Sequence, residues 1–202
     1  QGPLSITITA QGLTPEGKYL SRSGAKSGDW LYVTGELGDA ALALQHYKES
    51  VLTENDIIEQ VQKKLDFPKP RVLAGQALRE YASAAIDISD GLLSDLGHIC
   101  QASNVGANIV LDAIPLSDAM KKSQLFDDSV QLALNGGDDY ELLFTVSEDK
   151  KVGMETALSH AGTAITCIGQ INASQIISTT LNNKAVPIRN SGFEHFSSKK
   201  ST

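Results

Sequence analysis

Acidic residues crowd two short stretches of this chain, and both lie where one regular element gives way to another. The first is Ile86-Asp87-Ile88-Ser89-Asp90-Gly91-Leu92. Ile86 and Ile88 alternate with Asp87 and Ser89, so the polar pair shares one face of a short strand. Asp90 stands where a helix begins, and Leu92, Leu96 and Ile99 follow at i, i+4 and i+7 as its apolar stripe. Asp90 reads either as a helix N-cap, worth ~1 kcal/mol, or as a ligand. A carboxylate on an otherwise apolar strand is costly to bury unpaired, so Asp87 requires a cation, a metal or open water. Two carboxylates and a hydroxyl converging on a helix N-terminus suit Mg²⁺, which takes oxygen ligands and shares them with phosphates. An EF-hand is excluded, because Gly91 comes fifth after the stretch opens on Asp87 and that loop needs its glycine sixth.

The second stretch is Asn135-Gly136-Gly137-Asp138-Asp139-Tyr140-Glu141-Leu142. Asn135 to Gly137 can stop a preceding helix, and residues 140–146 read as a buried strand. Asp138, Asp139 and Glu141 repel one another. They belong either in a turn whose acids face water or beside a cationic ligand. His46, His98, His160 and His195 show no ligand spacing and read as helix-surface or packing residues. GxSxG, HExxH, GxGxxG and the kinase catalytic-loop pattern are all absent, so no protein nucleophile is in view.

The elements that must position these acids follow from periodicity. Strands are expected near residues 30–34, 84–88, 108–111, 140–146 and 166–170, alternating with helices near 40–50, 71–81, 91–103 and 148–160. A further helix is expected at 54–65, ended by Asp66-Phe67-Pro68-Lys69-Pro70. The implied fold is α+β, a mixed sheet with helices packed against it. Residues 4–10 alternate as a half-buried strand with Leu4, Ile6 and Ile8 on one face. Residues 12–29 are rich in Gly, Ser and Lys and read as a turn and linker. Gly24-Ala25-Lys26-Ser27 is no P-loop, since Ala precedes the lysine and a strand follows. Gly35-Glu36-Leu37-Gly38-Asp39 could offer phosphate a helix N-terminus with an Asp cap, but its two acids favour a structural turn. No period of 20–50 residues recurs.

The 202 residues exceed one usual domain of ~100–150 residues. Apolar residues make up 41% and charged residues 20%, enough for a buried core. The formal charge of −7 argues against a nucleic-acid or anionic-membrane surface. Two distant cysteines, Cys100 and Cys167, fit reduced thiols of a cytoplasmic protein. No apolar run approaches the ~18 residues of a membrane span.

Four segments in register carry a resemblance over essentially the whole chain. They are Arg22-Ser23-Gly24-Ala25-Lys26-Ser27-Gly28-Asp29-Trp30, Ile86 to Leu92, Gly136 to Leu142, and Gly192-Phe193-Glu194-His195-Phe196. In this order they resemble the bacterial thiamine-monophosphate kinases, of the superfamily of aminoimidazole ribonucleotide synthetase. The resemblance implies transfer of the ATP γ-phosphate to thiamine monophosphate, giving thiamine diphosphate, with Mg²⁺ as cofactor. It implies that Asp87 and Asp90 ligate Mg²⁺, that Ser89 contacts ATP, and that Arg22 reaches the ATP phosphates. It places Asp138 and Phe193 at thiamine monophosphate, where relatives often have Glu and can have Tyr.

The family's N-terminal half, with further metal-binding aspartates and much of a homodimer interface, has no counterpart in the chain. Residues 1–27 are therefore expected to be the last strand and linker of an absent N-terminal domain. Residues 28–196 are expected to form the C-terminal domain and 197–202 a disordered tail, the isolated piece being inactive. The competing expectations are a related ATP-using enzyme such as a purine-pathway cyclo-ligase, and a non-catalytic nucleotide- or partner-binding domain.

Overall fold

The computed structural model describes residues 4–123 and 126–187. Within them a seven-stranded mixed sheet runs through β1 (Trp30–Thr34), β2 (Ala82–Asp87), β3 (Gly106–Val110), β4 (Leu142–Val146), β5 (Ile165–Asn172), β6 (Ile177–Leu181) and β7 (Lys184–Val186). The spatial order is β2-β4-β1-β5-β3-β6-β7. All neighbouring pairs are antiparallel except β3 and β6, which are parallel. The helices are α1 (Asp39–Glu49), α2 (Asn55–Asp66), α3 (Val72–Leu78), α4 (Leu92–Ser103), α5 (Asp118–Lys122), α6 (Phe126–Asn135) and α7 (Lys151–His160). This is the expected α+β mixed sheet.

Period-two alternation along the strands feeds a core on each face of the sheet. Leu31 and Val33 of β1, Ala84 and Ile86 of β2 and Leu143 of β4 join the larger core with α1, α2 and α4. Tyr32, Ala85, Phe144 and Val146 point the other way, into a smaller core with Leu78 of α3 and Met154 and Leu158 of α7. Tyr32 and Phe144 stack there with centroids 5.6 Å apart. On α4 the expected stripe is fully buried at Leu92, Leu96 and Ile99. At about 1.5–3 kcal/mol for each large apolar side chain, that burial pins the helix whose N-terminus borders the acidic turn.

The structure departs from expectation at several elements. Residues 4–10 form no strand, and Leu4, Ile6 and Ile8 are exposed. A strand needs a ladder partner for its N–H and C=O groups, and no described strand lies beside them. The helix expected at 71–81 ends at Leu78, because the chain must turn to enter β2 at Ala82. The strand expected from 140 begins at Leu142, since Tyr140 has φ +51°, outside extended geometry. Strands β6 and β7 and the short helix α5 are additional. The expected tail at 197–202 and Phe193 lie outside the described residues.

Candidate active site

The two acidic stretches, about fifty residues apart in sequence, are laced into one unit at the ends of β2 and β4. Asp138 N–H donates to Ser89 O (3.0 Å), Tyr140 N–H to Ile88 O (2.8 Å) and Ile88 N–H to Glu141 O (2.8 Å). Gly137 is required by closeness, for a Cβ there would run into the Ser89 carbonyl. Gly91 is required twice over: its φ is +106°, and a Cβ would meet the Asn135 carbonyl group at 2.9 Å.

Asp90 is not the helix cap that its position suggested. Gly91 takes that place and offers no side chain. Instead Asp95, buried in the first turn of α4, reaches back and accepts the N–H groups of Ser89 (3.0 Å) and Asp90 (3.1 Å). Burial pushes the Asp95 carboxyl above its ordinary pKa; these two hydrogen bonds pull it down, and the charges of Asp90 and Asp87 push it up again. The turn is thus fixed from inside, and its acids need not fold back to cap the helix. Asp87, at the end of β2, is exposed, so open water meets the requirement raised by its apolar strand.

The acids of the second stretch part company. Glu141 turns inward to Arg71, which donates through Nε (2.6 Å) and Nη2 (2.5 Å), and it also accepts from Thr34 Oγ1 (2.6 Å). Asp139 accepts the Gly38 N–H at the start of α1 (3.0 and 3.1 Å). Burial drives its carboxyl well above the ordinary value, against the Gly38 hydrogen bond and Lys64, with Asp39 and Glu141 adding repulsion. Only Asp138 remains on the same side as Asp90. The Tyr140 hydroxyl donates to its Oδ1 (3.0 Å). That bond, then burial, then the charges of Asp138, Asp87 and Asp90 raise the Tyr140 phenol. All three acids therefore lie within electrostatic reach of one ring.

Ser89, Asp90 and Asp138 line a cleft of about 510 Å³, walled by Leu44 of α1 and Leu132 of α6, with Lys48 as the basic residue on its lining. Its chemistry is a partly apolar trough with an acidic end. Among the described residues no group of three or more His, Cys, Asp or Glu side chains is arranged to hold a metal ion. Asp87, Asp90 and the Ser89 hydroxyl are nevertheless all oxygen donors, and Mg²⁺ is usually bound by one or two carboxylates with phosphate and water completing the shell. The donor set fits that partial role.

Arg22 stands apart from this group. It is exposed, and its carbonyl accepts from Ser103 Oγ (3.4 Å) at the C-terminal end of α4, about 16 Å along that helix from Leu92 at 1.5 Å per residue. Neighbouring Gly24 and Ala25 donate their N–H groups to Ser103 Oγ, a backbone dock in keeping with the rejection of a P-loop. The turn at residues 35–39 is structural, as expected, though by another route. Asp39 does not cap α1; it is the first residue of the helix, buried, and accepts from Ser117 Oγ (2.6 Å). Asp95 could have been suspected as an acid in a first helical turn. Nothing local pointed to Arg71, 70 residues from its partner.

The fold and the site define a class. Residues 26–182 match the family described as AIR synthase related protein, C-terminal domain, and the chain belongs to that family. Within reach of it are named enzymes. The thiamine-monophosphate kinase of Salmonella typhimurium is 46% identical over 199 residues, covering 97% of this chain and 61% of the relative. A crystal structure of thiamine-monophosphate kinase from Stenotrophomonas maltophilia superposes with TM-score 0.78 at 38% identity, over 86% of this chain and 56% of that one. A structure described as AaThiL complexed with AMPPCP and TMP superposes with TM-score 0.73 at 27% identity, over 88% and 54%. The chain thus spans about three-fifths of the Salmonella relative's length. No described helix is long and apolar enough to cross a membrane.

Proposed function

We propose that this chain is the C-terminal part of an ATP- and Mg²⁺-dependent thiamine-monophosphate kinase, in which residues 1–27 lead out of a preceding domain. The observation that carries the reading is the lacing of two acidic loops beside one cleft, with Asp90 and Asp138 on its lining and Asp87 exposed at the end of β2, while Asp95, Asp139 and Glu141 are tied down within the fold. The kinases that are similar over nearly the whole chain, and the relative bound to AMPPCP and TMP, support the choice of substrates.

In this reading Asp87 and Asp90 hold Mg²⁺ and Ser89 contacts ATP. The metal, when bound, neutralises phosphate charge. Asp138, with Phe193 from outside the described residues, faces thiamine monophosphate, whose thiazolium is cationic and suits an acidic end beside an aromatic ring. Arg22, which stands apart from these residues at the far end of α4, is assigned to the ATP phosphates by the motif it lies in and not by the cleft. Phosphoryl transfer asks for positioning and charge neutralisation more than for a nucleophile of the protein, which agrees with the absence of any Ser or Cys apparatus. A phosphate oxygen of thiamine monophosphate attacks the γ-phosphorus in line. The new P–O bond forms as the bond to the β-phosphate oxygen breaks, ADP leaves, and no phosphoenzyme arises. The protein acts as a homodimer in the cytoplasm.

The test is thiamine diphosphate formation by the full-length protein given ATP, Mg²⁺ and thiamine monophosphate. A purine-pathway substrate converted in place of thiamine monophosphate would assign the protein to the related cyclo-ligases. The isolated 202-residue chain should be nearly inactive, and turnover equal to that of the full-length enzyme would contradict the division of the site between two domains.

A further inference from the structure

The loop at residues 138–141 separates two cavities. On one side is the cleft with Ser89, Asp90 and Asp138; on the other is a smaller one of about 210 Å³ lined by Lys63, Lys64, Arg71, Asp139 and Glu141. The loop is held in a conformation that its side chains resist. Asp138 has φ +67° and Tyr140 φ +51°, both left-handed without being glycine. Such residues persist only where the surroundings over-determine them.

Backbone bonds to Ile88 and Ser89 hold the loop on one side, and side chains of the second cavity hold it on the other. Glu141 is buried, paired bidentately with Arg71 and bonded to Thr34 Oγ1, which in turn accepts the Leu142 N–H (2.8 Å). A Cβ at Gly35 would run into the same carboxylate, so the chain just past β1 closes over it. A planar guanidinium fork fixes orientation as well as distance. The Glu141 carbonyl accepts from Ile88, so the anchor reaches the first acidic loop too.

We propose that Arg71, acting through Glu141, is a positioning residue that sets where Asp138 stands in the cleft. Arg71 lines the second cavity and is absent from the lining of the first. The inference rests on the kinase reading above, since it assigns the consequence to thiamine monophosphate, the substrate that Asp138 is proposed to face.

The experiment uses the full-length enzyme with Arg71→Lys, which keeps a cation but loses the fork, and Glu141→Gln, which keeps the shape but loses the charge. Each should raise KM for thiamine monophosphate about tenfold, since small displacements of a positioning group carry penalties of this order or greater. KM for ATP should stay within about twofold. In the double variant Arg71→Lys with Asp138→Asn, KM for thiamine monophosphate should match that of Asp138→Asn alone, because the positioned group is already lost. Hydrogen exchange at the Asp138 and Tyr140 amides should quicken in both single variants. If Glu141→Gln fails to fold, Arg71→Lys carries the test by itself.

Equal rises in both KM values, an additive double variant, or an unchanged KM in an active enzyme would overturn the positioning role and leave the kinase reading standing. A wild-type enzyme that forms no thiamine diphosphate would remove both.

Discussion

Two strand-to-helix junctions in this molecule look alike in composition and end in opposite uses. At the first, β1 leads through Gly35-Glu36-Leu37-Gly38 to Asp39 at the start of α1; at the second, β2 leads through Ile88-Ser89-Asp90-Gly91 to Leu92 at the start of α4. Both turns pair acids with glycine. At the first, Asp139 occupies the Gly38 N–H and Ser117 donates to Asp39, so these acids are absorbed by the fold. At the second, Asp95 satisfies the turn from within, which leaves Asp90 on the wall of the cleft and Asp87 in water. The lesson is that an acid's role at such a junction depends on what already satisfies the surrounding N–H groups. At the second junction Asp95 of α4 accepts the N–H groups of Ser89 and Asp90, so the turn is held without Asp87 or Asp90 having to accept them.

The comparison breaks most sharply if the second junction's acids prove dispensable. In the full-length enzyme, Asp87→Asn and Asp90→Asn should each lower kcat by about 10³-fold, near the upper range for removing one charge-stabilising group, with cooperative melting retained. Wild-type kcat in both variants would return these residues to ordinary solvation. A smaller effect is expected at the anchor. Arg71→Met strands the Glu141 carboxylate, and urea unfolding should show a loss of about 3 kcal/mol, at the low end for a broken buried pair because Arg71 is partly exposed.

Asp95→Ala removes the acceptor of two N–H groups and should cost about 1–2 kcal/mol. It should also quicken hydrogen exchange at Ser89 and Asp90 while leaving α1 unaffected. The mildest prediction concerns pH. Because the folded pKa of Asp139 is raised, the folded state binds its proton more tightly than the unfolded chain does. Stability from this group is full below the ordinary Asp pKa of about 4 and is lost as pH climbs toward the folded value. Asp139→Asn should flatten that decline, as read from melting temperature against pH. An unchanged slope would show that Asp139 is not the buried acid of the first junction's contact.

Much of this architecture could be read from residue order. The 3.6-residue stripe of Leu92, Leu96 and Ile99 and the short apolar run of residues 30–34 were enough to place α4 and β1, since both elements are fixed by apolar side chains visible over a few residues. The resemblance implied roles for Asp87 and Asp90 at Mg²⁺ and for Asp138 at thiamine monophosphate, and the pairing of the two acidic loops was not read. Their hydrogen bonds join backbone atoms of residues 88–89 and 138–141, for which side-chain identity offers little sign. What failed shows the same limit. Alternation at residues 4–10 predicts a strand, yet a ladder needs a partner that the described chain does not provide. The inward turn of Glu141 was hidden because the cation that neutralises it lies 70 residues earlier, in the turn before α3. Arg22 and Asp138 carry motif assignments alike, but only Asp138 lines the cleft with Asp90.

The account stands most directly on whether the second junction binds nucleotide through a metal. Calorimetric titration of ATP into the full-length protein, with Mg²⁺ and again with the metal chelated, measures this. Binding that is strong with Mg²⁺ and lost without it is the predicted result, whereas equal affinity in both titrations would contradict the role given to Asp87 and Asp90.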